Sequence, residues 1–176
     1  MVYLLTIVAF ALDRLSKWWV ANFLVEHGPL QIHELLILRA TTNRGMVFGL
    51  AQGAGSLMGW ISLLIIGGLF IYLIRLPAEA RLMRAGLAIL IGGALGNLID
   101  RLMVGAVLDF ITTPLLPWVF NVADVFINGG MAIFIIATLL HRPHEGAPLA
   151  GTTIATDREN RQAESERVST ERPYPE

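Results

Sequence analysis

The sequence predicts an all-α membrane protein: four transmembrane helices, with a small extracytoplasmic β-containing segment between the first and the second. Three observations predict it. Hydrophobic residues make up 55% of the 176 and charged residues 15%, a balance outside the range of ordinary soluble domains. Four apolar stretches are each close to the roughly 20 residues that a helix needs to cross a bilayer. Arg75, Arg81 and Arg84 gather in one short connection, as the positive-inside rule asks of a cytoplasmic loop.

The first span runs from about 2 to 23. It has no basic leader segment and no small-x-small cleavage pattern, and it carries Asp13, Arg14 and Lys17 inside it, so it reads as a retained helix rather than a cleavable signal. Residues 24 to 56 follow on the outer face. There β-favouring runs such as Leu35-Leu36-Ile37-Leu38 alternate with turn formers at Gly28-Pro29 and Asn43-Arg44-Gly45, a pattern suited to a small sheet or hairpin at the membrane surface.

The second span covers about 57 to 76, the third 82 to 103 and the fourth 119 to 140, joined by the arginine loop and by an outer connection over 104 to 118. Both termini then face the cytoplasm. Trp18, Trp19, Trp60 and Trp118 fall near the outer ends, where an aromatic belt sits. Residues 1 to 140 form the transmembrane domain. Residues 141 to 176 hold seven of the 14 acidic side chains and few large apolar ones, which predicts a disordered cytoplasmic tail.

Composition also limits the chemistry. A net charge of -1 gives no basic surplus for a nucleic-acid backbone. Without cysteine there is no disulfide, thiolate metal site or thiol nucleophile. No His-Glu-x-x-His is present, and His27, His33, His141 and His144 lie outside the spans, so neither a zinc peptidase nor a serine nucleophile with an intramembrane base is indicated. Gly53-Ala54-Gly55-Ser56 reads as a flexible approach to the second span. No metal or organic cofactor is expected.

Ionisable residues in a membrane are costly and are candidate functional groups by default. Three groups stand out. Asp13 and Lys17, spaced i,i+4, share one helical face and suit a buried ion pair. Asn97, Asp100 and Arg101 close the third span behind Gly92 and Gly96, a small-xxx-small pattern that admits a neighbouring helix; Asp100 and Arg101 can pair or hold a lipid headgroup. Asp109, shortly after that span, and Asp124, in the first turns of the next, stand at the same outer depth. Read by spacing alone, they suit a turn residue and a helix cap. Brought together, they can share one proton and activate a water.

Four segments decide between those readings. Asp13-Arg14-Leu15-Ser16-Lys17, Asn43-Arg44-Gly45-Met46-Val47-Phe48, Gly92 through Asp109-Phe110, and Phe120-Asn121-Val122-Ala123-Asp124 occur in this order around four spans. Together they resemble the lipoprotein signal peptidases, or signal peptidase II, over about 5 to 135. The departures are minor: Leu108 stands where valine is more usual, and the polar tail is long.

The resemblance implies an aspartyl endopeptidase with Asp109 and Asp124 as its catalytic pair. By the same resemblance, Asp13, Lys17, Asn43, Gly45, Asn97, Asp100, Arg101 and Asn121 support the active site or bind substrate. It implies a prolipoprotein substrate bearing diacylglycerol on its lipobox cysteine, cleaved on the amino side of that cysteine. The setting is a multi-pass monomer among the lipids of a bacterial inner membrane, with its site near the outer face. A proton relay through the same groups would have to cross the whole bilayer, whereas the second span as far as Arg75 and most of the fourth lack any charge. A purely structural scaffold gives no reason for two aspartates to meet.

Overall fold

A computed structural model describes residues 2–44, 55–140 and 161. The chain divides into two units, Met1–His141 and Arg142–Glu176, and the first carries everything described below. Its order is α1 (Val2–His27), β1 (Leu30–His33), β2 (Leu36–Asn43), α2 (Gly55–Arg75), α3 (Arg81–Val104), β3 (Val107–Thr112) and α4 (Val122–Leu140). Gly45 and the residues after it as far as 54, with the proposed tail, lie outside the described residues apart from Arg161.

Three helices are long and apolar enough to cross a membrane: Leu57–Arg75 in α2, then α3 and α4. At 26 residues α1 has the length, but Asp13, Arg14 and Lys17 interrupt its apolar run. The chain is therefore a mostly helical protein with three spans of clear apolar character.

The central helix is α3, which packs against each of the others; 61% of its apolar stretch is buried, against 17% in α2 and in α4. Glycines make this possible, because without side chains the backbones approach closely. A Cβ on Gly92 would meet the Thr6 carbonyl oxygen at 2.6 Å and Ala9 Cβ at 2.7 Å on α1, and one on Gly96 would overlap the Asp13 carboxylate. On the opposite side, a Cβ on Gly93 would meet the Ala123 carbonyl oxygen at 2.6 Å, while Gly86 and Gly130 face each other between α3 and α4. Lower down, Leu73, Leu87, Ala88 and Ile91 form the apolar core.

The β structure differs from the expected local hairpin. The sheet has three antiparallel strands in the order β1-β2-β3, and the third comes from the connection between α3 and α4, which the sequence had as an outer loop. Gly105, in the left-handed region at φ 72°, ends α3 with its N–H bonded to the Arg101 carbonyl and turns the chain into β3. Leu38, Phe110 and Val20 pack together and seat the sheet on α1.

After Thr112 the chain loops out and returns. The Phe120 N–H bonds the Ile111 carbonyl at 3.0 Å, and the Phe120 carbonyl accepts from Ile111 N at 2.7 Å. This isolated bridge holds residue 120 beside β3, so α4 begins at Val122 rather than at the expected 119.

Candidate active site

The start of α4 fixes the first aspartate. Asn121 Oδ1 accepts the Asp124 N–H at 3.1 Å, and Asp124 Oδ2 accepts the Asn121 N–H at 3.0 Å. This reciprocal arrangement is a capping box: two backbone donors that the helix itself cannot satisfy are satisfied by side chains three residues apart. Asn121 is therefore the cap in front of the helix, and Asp124 stands in the first turn. The second oxygen of Asp124, Oδ1, accepts from Asn97 Nδ2 at 2.9 Å.

The ladder between β2 and β3 fixes the other aspartate. Asp109 lies opposite Thr41, and Asn43 opposite Val107, so Asn43 and Asp109 are diagonal neighbours on one face of the sheet. Asn43 Nδ2 donates to Asp109 Oδ2 at 3.0 Å, and Asn121 Nδ2 donates to Asp109 Oδ1 at 2.6 Å. Asn121 thus touches both aspartates. Asp109 is buried, at 4% exposure, and Asp124 is half-buried. Burial pushes the Asp109 carboxyl above its usual range, the Asn43 and Asn121 amides pull it back, and the charge of Asp124 adds to the upward push.

Behind the pair lies a buried charge cluster. Lys17 Nζ contacts Asp13 Oδ2 at 2.9 Å, Asp100 Oδ2 at 2.8 Å and Asn97 Oδ1 at 2.8 Å. An ammonium has three N–H donors, and three acceptors are within reach. Asp13, which is fully buried, turns its other oxygen to the Ala123 N–H at 3.0 Å. Such a cluster is tolerated away from water only because each charge has partners.

Most of the residues singled out from the sequence converge here: Asp13, Lys17, Asn43, Asn97, Asp100, Asp109, Asn121 and Asp124 form one continuous set of contacts. Two expectations change. Asp100 pairs with Lys17 and Arg14, not with Arg101, because α3 turns Asp100 toward α1. Arg101 reaches the Asn97 carbonyl oxygen at 3.4 Å. Arg14 was absent from the expected set although it donates to Asp100; a guanidinium in an apolar stretch needs a partner, and that was the available signal. Gly45 lies outside the described residues. Among the described residues, no group of three or more His, Asp or Glu side chains is arranged to hold a metal ion.

Comparison with known proteins shows the family of the chain. Residues 5–140 match the family described as signal peptidase (SPase) II. A lipoprotein signal peptidase of Anoxybacillus flavithermus is 36% identical over 141 residues, covering 77% of this chain and 83% of its own. One from Caldanaerobacter subterraneus is 41% identical over 133 residues, covering 73% of this chain and 90% of its own. A solved structure described as a bacterial membrane enzyme superposes with a TM-score of 0.72 at 26% identity, covering 80% of this chain and 94% of that one.

Proposed function

The chain belongs to the signal peptidase II family, and on that footing we propose that it removes signal peptides from diacylglyceryl-modified bacterial prolipoproteins, with Asp109 and Asp124 as its catalytic pair. The observation that carries the aspartyl assignment is Asn121, which bonds the carboxylates of both residues. Two carboxylates this close to a common partner suit the sharing of one proton.

The roles follow from the surroundings. Asp109, buried and pushed toward its protonated form, is the acid that hydrogen-bonds the scissile carbonyl oxygen. Asp124, half-buried, is the base that takes a proton from the attacking water. The water oxygen bonds to the carbonyl carbon, giving a tetrahedral intermediate. The carbon–nitrogen bond then breaks, and the proton held by Asp124 passes to the departing amine of the lipidated cysteine. The products are the signal peptide carboxylate and a free amino group. The Asn43, Asn97 and Asn121 amides hold the two carboxylates in place throughout.

The same reading makes α1 a fourth transmembrane helix. Its Asp13 and Lys17 face inward, while Leu4, Ile7, Val8, Leu12, Leu15 and Trp18 are exposed, a surface suited to lipid. Both termini are then cytoplasmic, and the aspartates lie at the outer face of the inner membrane, within reach of a lipid-anchored bond. The protein works as a monomer among lipids, with no nucleic-acid partner.

The direct test is incubation of the purified protein with a diacylated prolipoprotein. Release of the signal peptide, with cleavage before the lipidated cysteine, is the expected result. Failure to cleave under conditions where a known relative cleaves would sink the reading.

A further inference from the structure

We infer that Lys17 is a positioning residue for proteolysis: by holding Asn97 Oδ1, it obliges the Asn97 amide to present its NH2, rather than its carbonyl, to Asp124. The inference rests on the proposed role of Asp124 as base. It begins with an ambiguity that belongs to every amide side chain, whose oxygen and nitrogen have nearly the same shape and can exchange places by a half-turn.

Lysine removes that ambiguity. An ammonium has no acceptor, so the atom of Asn97 at 2.8 Å from Lys17 Nζ must be the oxygen. The Asn97 nitrogen is then the atom at 2.9 Å from Asp124 Oδ1. The same oxygen receives a second donor, Asn121 Nδ2, at 3.2 Å. The other Asn121 N–H goes to Asp109 Oδ1 at 2.6 Å, and Asn121 Oδ1 is left to accept the Asp124 N–H at 3.1 Å. The cation thereby sets the direction of donation at Asp124, while the Asp124 N–H, which can only donate, sets the orientation of Asn121 at Asp109.

Lys17 is itself held in place. It is 3% exposed, with Asp13 and Asp100 at 2.9 Å and 2.8 Å on either side. Without Lys17, Asn97 Oδ1 keeps only the longer bond from Asn121 Nδ2 at 3.2 Å, and the carbonyl is far less firmly held from turning toward Asp124, where it would place a partial negative charge against the base. The charged groups near this point are Asp13, Arg14 and Lys17 from α1, Asp100 and Arg101 from α3, and Asp109 from β3. From β2 comes the neutral Asn43, followed by the exposed Arg44. The base loses its aligned donor when Lys17 is removed, so Asp124 is no longer held where it takes the proton from the attacking water.

The experiment separates this role from a structural one. Replacing Lys17 by a neutral residue alone leaves two buried carboxylates, Asp13 and Asp100, against the single positive charge of Arg14 on Asp100, so both variants are made in an Asp100→Asn background that restores charge balance. Lys17→Met removes the donor, whereas Lys17→Gln keeps an amide N–H for Asn97 Oδ1. With a diacylated prolipoprotein peptide as substrate, Lys17→Met should lower kcat by about 10- to 100-fold, the size of one hydrogen bond to a charged group. KM should be little changed. Lys17→Gln should recover most of the loss.

Asn97→Ala leaves all three ion pairs intact and should reproduce the lowered kcat with KM little changed. Adding Lys17→Met to it should cost little more, because residues acting through one another are not additive. Equal losses in Lys17→Met and Lys17→Gln, full additivity with Asn97→Ala, or an unchanged kcat in Asn97→Ala would each overturn the inference. Cleavage by Asp124→Asn would instead overturn the proposed base itself.

Discussion

Asp13 on α1 caps α4: its Oδ1 accepts the Ala123 N–H at 3.0 Å, across 110 residues of sequence. The contact fixes the first turn of α4, and so Asp124, relative to the helix that carries Lys17. Its Oδ2 meets Lys17, and Gly96 on α3 leaves the space that this carboxylate occupies.

The mutational prediction follows from the different duties of three aspartates. Asp109→Asn and Asp124→Asn should each lower cleavage by at least about 10²–10⁴-fold, the usual worth of general acid–base assistance, with the protein still folded and inserted. Asp13→Asn should retain measurable cleavage, since an amide oxygen can still accept the Ala123 N–H. Single-turnover cleavage of a diacylated substrate is the measurement. Substantial activity in either dyad variant would remove the aspartyl mechanism.

Gly96→Ala should destabilise the protein by about 1–3 kcal/mol, the usual range for overpacking a close contact. The new Cβ would overlap the Asp13 carboxylate, which cannot move without releasing Ala123 and Lys17. Gly67→Ala is the control, because a Cβ there meets nothing within 4 Å. Thermal unfolding in detergent should show a lowered midpoint for the first and no loss for the second.

Stability should depend on pH through Asp109. Its folded carboxyl binds a proton more readily than a free aspartate does, first because it is buried, so the folded state holds more protons than the unfolded one. Its contribution is then fully present below the unfolded value and is lost as pH rises through the folded one. Asp109→Asn should flatten that part of the stability profile. A profile as steep in the variant as in the parent would refute the assignment.

The orientation can be read by labelling. A cysteine at Thr41, on β2, should react with an impermeant thiol reagent in intact cells, and a cysteine at Glu79, between α2 and α3, should not. The native chain contains no cysteine to interfere. Stronger labelling at position 79 would reverse the topology.

Much of this was legible in the sequence because hydropathy and i,i+4 spacing are local signals. The helices containing Leu57–Arg75, Arg81–Val104 and Val122–Leu140 follow from apolar length, and the Asp13–Lys17 pair from helical spacing. What was not legible depends on distant partners. Strand β3 is six residues long and contains an aspartate, a residue depleted in strands, and it exists because β2 pairs with it. Asp100 found Arg14 rather than Arg101 because the packing of α3 on α1 chooses the partner. The cap at Asn121 was written in the Asn-x-x-Asp spacing, but the apolar run had drawn the helix start back to 119.

The pairing of β2 with β3, and of Asp13 with the start of α4, also bears on biogenesis. A nascent chain that has emerged only through β3 holds Asp109 and Asn43 but neither Asn121 nor Asp124. At that stage Asp109 Oδ1 lacks its short amide donor, and Asp13 Oδ1 has no N–H to cap. On the proposed reading, the catalytic pair is therefore completed only by α4, which brings Asp124 together with the amide contacts that restrain both carboxylates.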